Sequence, residues 1–105
     1  MKIRFEWDPV KALANVSKHR VSFETAVRAF ADPFALAEQD RIEGGEYRWQ
    51  TLGLVDAHLL LLVAHTVWEE EAEKDGTTVE VIRIISARRA EPFERRRYEN
   101  QDRSL

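Results

Sequence analysis

The chain has 105 residues, of which 44% are apolar and 33% are charged. This size and composition are typical of one globular domain with a single core, and we expect that domain to span residues 1–105. It has no cysteine, which excludes disulfides, thiolate zinc sites and a cysteine nucleophile. Its longest apolar run, Leu59 to Ala64, is far shorter than the roughly 20 residues that cross a bilayer. The net charge of −3 argues against general nucleic-acid affinity, and Glu6 lies where a signal peptide would be apolar, so we expect a cytoplasmic protein without membrane contacts.

Two helices are predicted near the start of the chain. Asp8 and Pro9 are typical of a helix N-terminus, and this helix should extend to Lys18 or His19. Its residues expected to face the core are Val10, Leu13 and Ala14. Ser22 should cap a second helix that ends before Pro33. That helix has one apolar face formed by Phe23, Ala26, Val27 and Phe30.

The apolar period then changes to two, which predicts strands. Strands are expected around residues 34–36, 47–52, 59–67 and 79–86, and a short strand over Lys2–Phe5 could join them. Polar or turn-forming segments separate the strands at 40–45, 54–57 and 69–78. Glu91 and Pro92 should open a C-terminal helix, with fraying from Gln101 to Leu105. This order predicts an α+β domain of two layers, in which the N-terminal helices and the C-terminal helix pack on a small antiparallel sheet.

The sequence gives little indication of a metal site or of a glycine-rich phosphate-binding loop. His58 and His65 are seven residues apart on one predicted strand and should point to opposite faces, so they cannot share a metal. His19 has no partner nearby in sequence, and Gly44 and Gly45 match no phosphate-binding loop. We therefore expect neither a metal nor a cofactor.

The C-terminal end is rich in arginine. Residues 83–103 contain seven arginines and four acidic residues, a balance of +3 against −6 for the rest of the chain. Arg83 is expected on a strand face with Val81 and Ile85, which suggests a pocket or an ion pair there. Arginines beside Tyr98 are suited to contact phosphates and bases. An alternative is that they contact a protein partner or solvent, since Arg95 and Glu99 have the i,i+4 spacing of a helical ion pair.

Two long motifs then make the sequence resemble BrnT-type toxins. The first is Phe5-Glu6-Trp7-Asp8-Pro9-x-Lys11-Ala12-x-x-Asn15-x-x-Lys18-His19, followed by Val21-Ser22-Phe23-Glu24 and Phe30-x-Asp32-Pro33. The second is Ile82-Arg83-Ile84-Ile85-Ser86-Ala87-Arg88-Arg89-Ala90, followed by Glu94-Arg95-x-x-Tyr98-Glu99. The two motifs occur in the same order as in that family, and the resemblance covers almost the whole chain.

The resemblance implies a RelE-like fold and a ribonuclease toxin of a type II toxin–antitoxin pair that arrests translation. It implies neutralisation by a BrnA-type antitoxin, a ribbon-helix-helix protein, in a heterotetramer of two toxins and two antitoxins. Operator DNA would be contacted only through the antitoxin. The alternative function is a catalytically weak or inactive module that binds the antitoxin and tunes operator repression. A stand-alone DNA-binding regulator is disfavoured, because no basic recognition helix is evident.

Ribonuclease chemistry of this kind requires groups that take up a proton and stabilise negative charge. We predict that phosphate is bound by three arginines, Arg48, Arg83 and Arg88, and that His19 or Tyr98 handles protons. Further RNA contacts are predicted for Lys18, Arg89, Arg95 and Arg97. For His19 the alternative is a structural role at the helix end, and Lys11, Asn15 and Trp7 are interpreted as structural.

Three positions of this chain differ from the residues that the resemblance to BrnT-type toxins would lead us to expect. Arg20 replaces a glycine that would end the first helix in a left-handed conformation. His58 lies near a position that is commonly basic, and Trp68 replaces an arginine. Either the toxin is attenuated or neighbouring arginines suffice, and the acidic run 69–71 would repel RNA if it lies near the active surface.

Overall fold

In the computed structural model, which describes residues 2–72 and 74–101, helices pack against a five-stranded sheet, and the α+β class is confirmed. The elements in chain order are β1 (Lys2–Glu6), α1 (Pro9–His19), α2 (Phe23–Val27), a 3-10 turn (Arg28–Ala31), β2 (Leu36–Glu43), β3 (Glu46–Val55), β4 (Leu59–Glu71), β5 (Thr78–Arg89) and α3 (Pro92–Asn100). Residues 102–105, predicted to fray, lie outside the described part. No helix in the described part is long and apolar enough to span a membrane.

The strands are ordered β1-β5-β4-β3-β2. From β2 to β5 each strand is antiparallel to its neighbour and follows it directly in the chain, as hairpins require. The short N-terminal strand is confirmed, but it pairs with β5 in parallel, so the sheet is mixed rather than purely antiparallel. A parallel neighbour needs a long connection, and here everything from α1 to β4 lies between the two strands.

The strands are longer than the sequence pattern predicted. The polar segment 40–45 is not a turn throughout, because β2 continues to Glu43 with an irregularity between Gln39 and Arg41. Only Gly44 and Gly45 form the turn, with φ angles of 59° and 80° that favour glycine. Likewise β4 and β5 extend into the two ends of the predicted acidic loop, up to Glu71 and from Thr78. Cross-strand hydrogen bonding outweighs the low strand propensity of these charged residues.

The turn after β3 also differs from its prediction. β3 extends to Val55, and Asp56 and Ala57 adopt positive φ angles of 52° and 68°. His58 therefore lies in the turn, where its amide donates to Val55, and not on the strand that contains His65.

The sheet has two differently covered faces. One face, called here the α2 face, packs against α2 and the 3-10 turn through a core that includes Phe23, Ala29 and Val63. The opposite face, called the α3 face, has a smaller core of Leu52, Leu60 and Leu62 against which Tyr98 of α3 packs. β4 is buried on both faces in its central part, as its continuous apolar run predicted.

Helix α1 begins and ends as predicted, but it is oriented differently. The Asp8 side chain accepts from the Val10 amide, and Arg20 ends the helix at φ 61° and ψ 28°. The prediction that Val10, Leu13 and Ala14 face the core is wrong, because all three are exposed. The buried residue is Asn15, whose polar side chain is hydrogen-bonded to the backbone of the neighbouring strand.

Asp32 joins three parts of the fold. Its carboxylate accepts from the amides of Phe34 and Leu54 and from the Tyr98 hydroxyl. Partial burial alone would raise the pKa of Asp32, but these three hydrogen bonds hold it below its ordinary value. The residue that ends the 3-10 segment therefore also connects β3 and α3.

Candidate active site

A row of polar side chains crosses the α3 face beyond the area that α3 covers. Thr66 of β4 is paired with Arg83 of β5, and Arg41 of β2 is paired with Arg48 of β3. The β3–β4 pairing ends at Trp49 and His65, and continuing that register by one residue would place Arg48 opposite Thr66. Paired residues have Cα atoms about 5 Å apart and project to the same side. Arg48 and Arg83 therefore flank Thr66 on one surface.

Two atoms of this row have unmet hydrogen-bonding capacity. The Thr66 hydroxyl oxygen and the Arg48 Nε are shielded from solvent and have no hydrogen-bond partner in the described part of the chain. The Arg83 side chain is exposed. Buried polar atoms are usually paired, so these two atoms could gain partners if an oxygen-rich ligand bound between the two arginines and displaced the side chains that shield them.

The surroundings of the row leave space for a ligand. Ala64 and Ser86, both small, form the paired positions next to Thr66 and Arg83. On the other side, Trp68 follows Thr66 along the same strand face and is partly buried. Both line a cavity of about 250 Å³ at the start of β3. An indole beside two arginines is a chemically suitable surface for stacking of a nucleic-acid base.

The predicted alternation around Arg83 is interrupted. The register shifts between Ala64 and His65, which leaves Ile85 as an extra residue on β5. Arg83 lies on the same sheet face as Val81, as predicted. Ile85 is the extra residue of the bulge, so the alternation does not simply continue from Arg83 to Ile85. The bulge lies between the polar row and the Arg88 end of β5.

The acidic run after Trp68 does not face the row as a block. Arg4 donates two hydrogen bonds, at 2.9 and 2.7 Å, to the carboxylate of Glu70, which lies on the α3 face. This contact raises the pKa of the Arg4 guanidinium through hydrogen bonding and charge attraction. Glu69 and Glu71 alternate to the opposite face. Arg4 thus compensates the one acid of this run that lies on the same face as the arginines.

Arg88, predicted to bind phosphate, is held in an ion pair. Its guanidinium contacts both carboxylate oxygens of the buried Glu94 at 2.9 Å. Burial would raise the pKa of Glu94, but the hydrogen bonds from Arg88 and from the Glu91 amide lower it overall. The same contact with Glu94 raises the pKa of Arg88. Glu94 and Glu91 form a capping box at the start of α3. Arg88 therefore attaches α3 to β5.

Tyr98 has a similar internal partner. Its hydroxyl donates to Asp32 at 2.5 Å. Burial and the Asp32 carboxylate raise the pKa of Tyr98 to about 12. At neutral pH this hydroxyl is protonated and donates to Asp32, which leaves it poorly suited to accept a proton.

The other predicted RNA-contacting residues lie on separate parts of the surface. Arg97 is 3.2 Å from Glu38 of β2, while Arg95 of α3 and Arg89 at the end of β5 are exposed. Lys18 and His19 end α1, which packs beside α2 on the other side of the sheet. Of the predicted site residues, Arg48 and Arg83 lie on either side of β4 near Thr66, Arg88 on the same face is paired with Glu94, and the remaining candidates lie elsewhere.

His65 is a buried titratable group whose environment the sequence did not indicate. Its Nε2 lies 2.7 Å from the Thr51 hydroxyl, and its ring packs edge-on against Phe30. Burial lowers the pKa of His65 to about 4, despite a small opposing effect of the Thr66 backbone. In the described residues, no three His, Asp or Glu side chains converge as they would to hold a metal ion.

The fold and this surface together define a small α+β protein with an open, arginine-bearing sheet face suited to a polyanion. The family model for the ribonuclease toxin BrnT of type II toxin–antitoxin systems matches residues 7–94, and the chain belongs to this family. The fold is similar to the 1.1 Å crystal structure of the Brucella abortus ribonuclease toxin BrnT, with a TM-score of 0.53 and 16% identity over 87% of this chain and 99% of that chain. No curated protein matches the sequence.

Proposed function

We propose that this chain is a metal-independent endoribonuclease that cleaves RNA in the cytoplasm and so arrests translation. Membership of a ribonuclease toxin family supports the activity. The site is located by the polar row on the α3 face, where Arg48 and Arg83 lie on either side of Thr66. In this row the Thr66 hydroxyl and the Arg48 Nε have no hydrogen-bond partner in the described part of the chain.

In this proposal the scissile phosphate lies between Arg48 and Arg83. The ribose 2′-oxygen attacks phosphorus, its proton passes to a base, and the P–O5′ bond breaks as the leaving 5′-oxygen takes a proton from water. The products are a 2′,3′-cyclic phosphate and a 5′-hydroxyl. The guanidinium groups stabilise the additional negative charge of the transition state, and the Thr66 hydroxyl donates to a phosphate oxygen. Trp68 stacks on a neighbouring base, so its presence in place of an arginine need not remove RNA affinity.

Proton transfer requires a different group, since arginine stays charged at any relevant pH. We propose Glu6 as the proton acceptor, because it is paired with Arg83 across β1 and β5 and is partly buried. His19 lies at the end of α1 on the other side of the sheet, and Tyr98 donates to Asp32. Neither contacts the proposed phosphate position from its present place.

The family also implies a protein partner, because a type II toxin is paired with an antitoxin. We propose that the partner is a BrnA-type ribbon-helix-helix protein, that two toxins and two antitoxins assemble, and that operator DNA is bound by the antitoxin alone.

The experiment is cleavage of a labelled single-stranded RNA by the purified chain in EDTA, with the products analysed for cyclic phosphate. Replacing both Arg48 and Arg83 by Gln should lower the rate at least ~100-fold, since one oxyanion-stabilising donor contributes about 10²–10³ in rate. Thr66→Val, which is nearly isosteric, should lower it by roughly tenfold or more. The matched control is Arg95→Gln with Arg96→Gln, which removes the same charge from the exposed side of α3.

Several outcomes discriminate between hypotheses. A control that loses as much activity as the Arg48/Arg83 variant would place the RNA on α3 instead. Full activity in folded Glu6→Gln would refute the proposed base alone. If only two arginines contact phosphates, the logarithm of RNA affinity should fall with log salt at a slope near −1.4, whereas seven contacting arginines would give about −5. No cleavage by folded wild type, with or without ribosomes, would favour the antitoxin-binding module.

A further inference from the structure

Helix α1 exposes its apolar side. Val10 and Leu13 are 73% and 74% exposed and Val16 is 43% exposed, and the first two are the most exposed large apolar residues in the described part of the chain. Their i, i+3 and i+6 spacing, together with Ala14, places them on one continuous outer arc of the helix. An amphipathic helix of a monomer normally turns such an arc toward its core. Here it faces solvent.

The reason lies on the buried side of the helix. Asn15 donates to the carbonyls of Val21 and Ala87 at 2.9 and 2.8 Å and accepts from the Ala87 amide at 3.1 Å. These bonds tie α1 to β5 through a polar side chain, and Ala12 beside it provides a small apolar contact. Because Asn15 must face the sheet, the apolar arc on the far side of the helix must face away from it.

The charges within α1 and directly after it are of one sign, although Asp8 caps its N-terminus beside Val10. Between Pro9 and His19 the helix contains no acidic residue, while Lys11 and Lys18 are exposed, as is Arg20 just after it. The chain as a whole has a net charge of −3, so α1 is a basic region on an acidic protein. Packing α1 against its counterpart in a second copy would bring these like charges together. A partner with acidic side chains would be attracted to them.

We propose that the α1 arc, defined by Val10, Leu13, Ala14 and Val16, is the docking site for an amphipathic acidic helix of the antitoxin. The partner helix places apolar side chains at i, i+3, i+4 and i+7 on the arc, in the way helices dock on apolar surfaces. Its Asp or Glu side chains lie beside Lys11 and Lys18. This inference rests on the proposed function in that it takes the partner to be the antitoxin.

The position of the arc has a mechanistic consequence. α1 packs on the α2 face, and the Arg48–Thr66–Arg83 row lies on the α3 face. A helix on the arc therefore holds the antitoxin without touching the arginines. Inhibition would require another antitoxin segment that passes around the sheet to the α3 face, so binding and inhibition should be separable by mutation.

The test uses the full chain and the full-length antitoxin encoded with it, purified separately, with affinity measured by calorimetry. Val10→Gln with Leu13→Gln removes apolar surface while keeping good helix formers at exposed positions. We expect antitoxin affinity to fall at least tenfold, with RNA cleavage within twofold of wild type. Lys11→Glu with Lys18→Glu should also weaken binding, and the salt dependence of the remaining affinity should decrease.

The matched control is Ile42→Thr with Tyr47→Thr, which removes exposed apolar surface from the paired ends of β2 and β3 (59% and 56% exposed). It should retain wild-type affinity. Wild-type affinity in the Gln variant, or a loss only in the Thr control, would overturn the proposal. So would light scattering that shows wild type alone dimerising and the Gln variant monomeric, or a lysine variant that loses RNA binding but not antitoxin binding. A wild type that binds no antitoxin would refute the proposed partner as well, which distinguishes that failure from failure of the docking site.

Discussion

Asn15 is the residue whose replacement tests the fold most directly. Asn15→Ala removes three buried hydrogen bonds, two donated to the carbonyls of Val21 and Ala87 and one accepted from the Ala87 amide. Each typical bond contributes about 1 kcal/mol net, and a buried group left without a partner costs ~1–3 kcal/mol. Alanine favours the helix by roughly 0.5 kcal/mol relative to asparagine. The free energy of unfolding should therefore fall by about 3 kcal/mol.

Such a loss is large for a domain of this size, whose total stability is expected to be ~5–15 kcal/mol. At about 4–8 °C per kcal/mol, the melting temperature should fall by roughly 15 °C. The assay is urea unfolding followed by circular dichroism at pH 7. Ser17→Ala, an exposed substitution on the same helix, serves as the control and should change stability by less than about 0.5 kcal/mol.

Asn15→Asp sharpens the test. Its carboxylate can still accept from the Ala87 amide, but the second oxygen would face two carbonyl oxygens where an NH₂ group had donated. Ionised aspartate should therefore be at least as destabilising as alanine at pH 7, and should recover part of the loss near pH 4, where the protonated acid can donate one bond. A loss below 1 kcal/mol for Asn15→Ala, or no pH-dependent difference between the Asp and Ala variants, would refute the anchoring role.

Three further predictions concern single positions. Burial lowers the pKa of His65 from 6.5 to about 4, so on acidification the unfolded chain binds this proton before the folded protein does. The free energy of unfolding should therefore fall by up to about 3 kcal/mol as the pH falls from 6.5 to 4. In His65→Gln this pH-dependent loss should be absent when acid unfolding is measured. Arg20→Gly should raise the melting temperature, by an amount equivalent to ~1 kcal/mol, because glycine adopts the φ of 61° without strain. Gly53→Ala should destabilise by more than 2 kcal/mol in the same urea assay, since its Cβ would lie 2.2 Å from the Ala29 carbonyl oxygen.

The helix ends and the central strand could be predicted because they depend on neighbouring residues. Asp8 and Ser22 cap α1 and α2 as expected, each accepting a hydrogen bond from a nearby amide. Arg20 takes the left-handed conformation that the resemblance implied for its position. The continuous apolar run of β4 correctly predicted burial on both faces. Each of these features follows from chemistry within a few residues.

The orientation of α1 could not be predicted in the same way. Periodicity places Val10 and Leu13 on one side of the helix, but it does not say whether that side meets the core or a partner. The deciding contact is between Asn15 and Ala87, which are 72 residues apart in the chain. The lengths of β2 and β4 were underestimated for a related reason, because charged residues at exposed positions are retained in strands by their neighbours.

For the candidate site, the residue types were easier to predict than their grouping. Arg48 and Arg83 are 35 positions apart and share one face only because their strands, β3 and β5, lie on either side of β4 near Thr66. Thr66 itself was not singled out, since an isolated threonine in an apolar strand carries no signal. Pairing the predicted central strand with its two neighbours in register would have aligned it with both arginines.

Two arginines of the basic C-terminal end have a structural use. Arg88 pairs with buried Glu94 and Arg97 contacts Glu38, so two of the arginines hold α3 on the sheet. Tyr98 completes this attachment through Asp32. A helix fixed at three points covers the apolar end of the α3 face and leaves the other end open. These contacts thus set which part of the α3 face stays uncovered, and Arg83 of β5 and Arg48 of β3 lie in that uncovered part, where we propose that RNA binds.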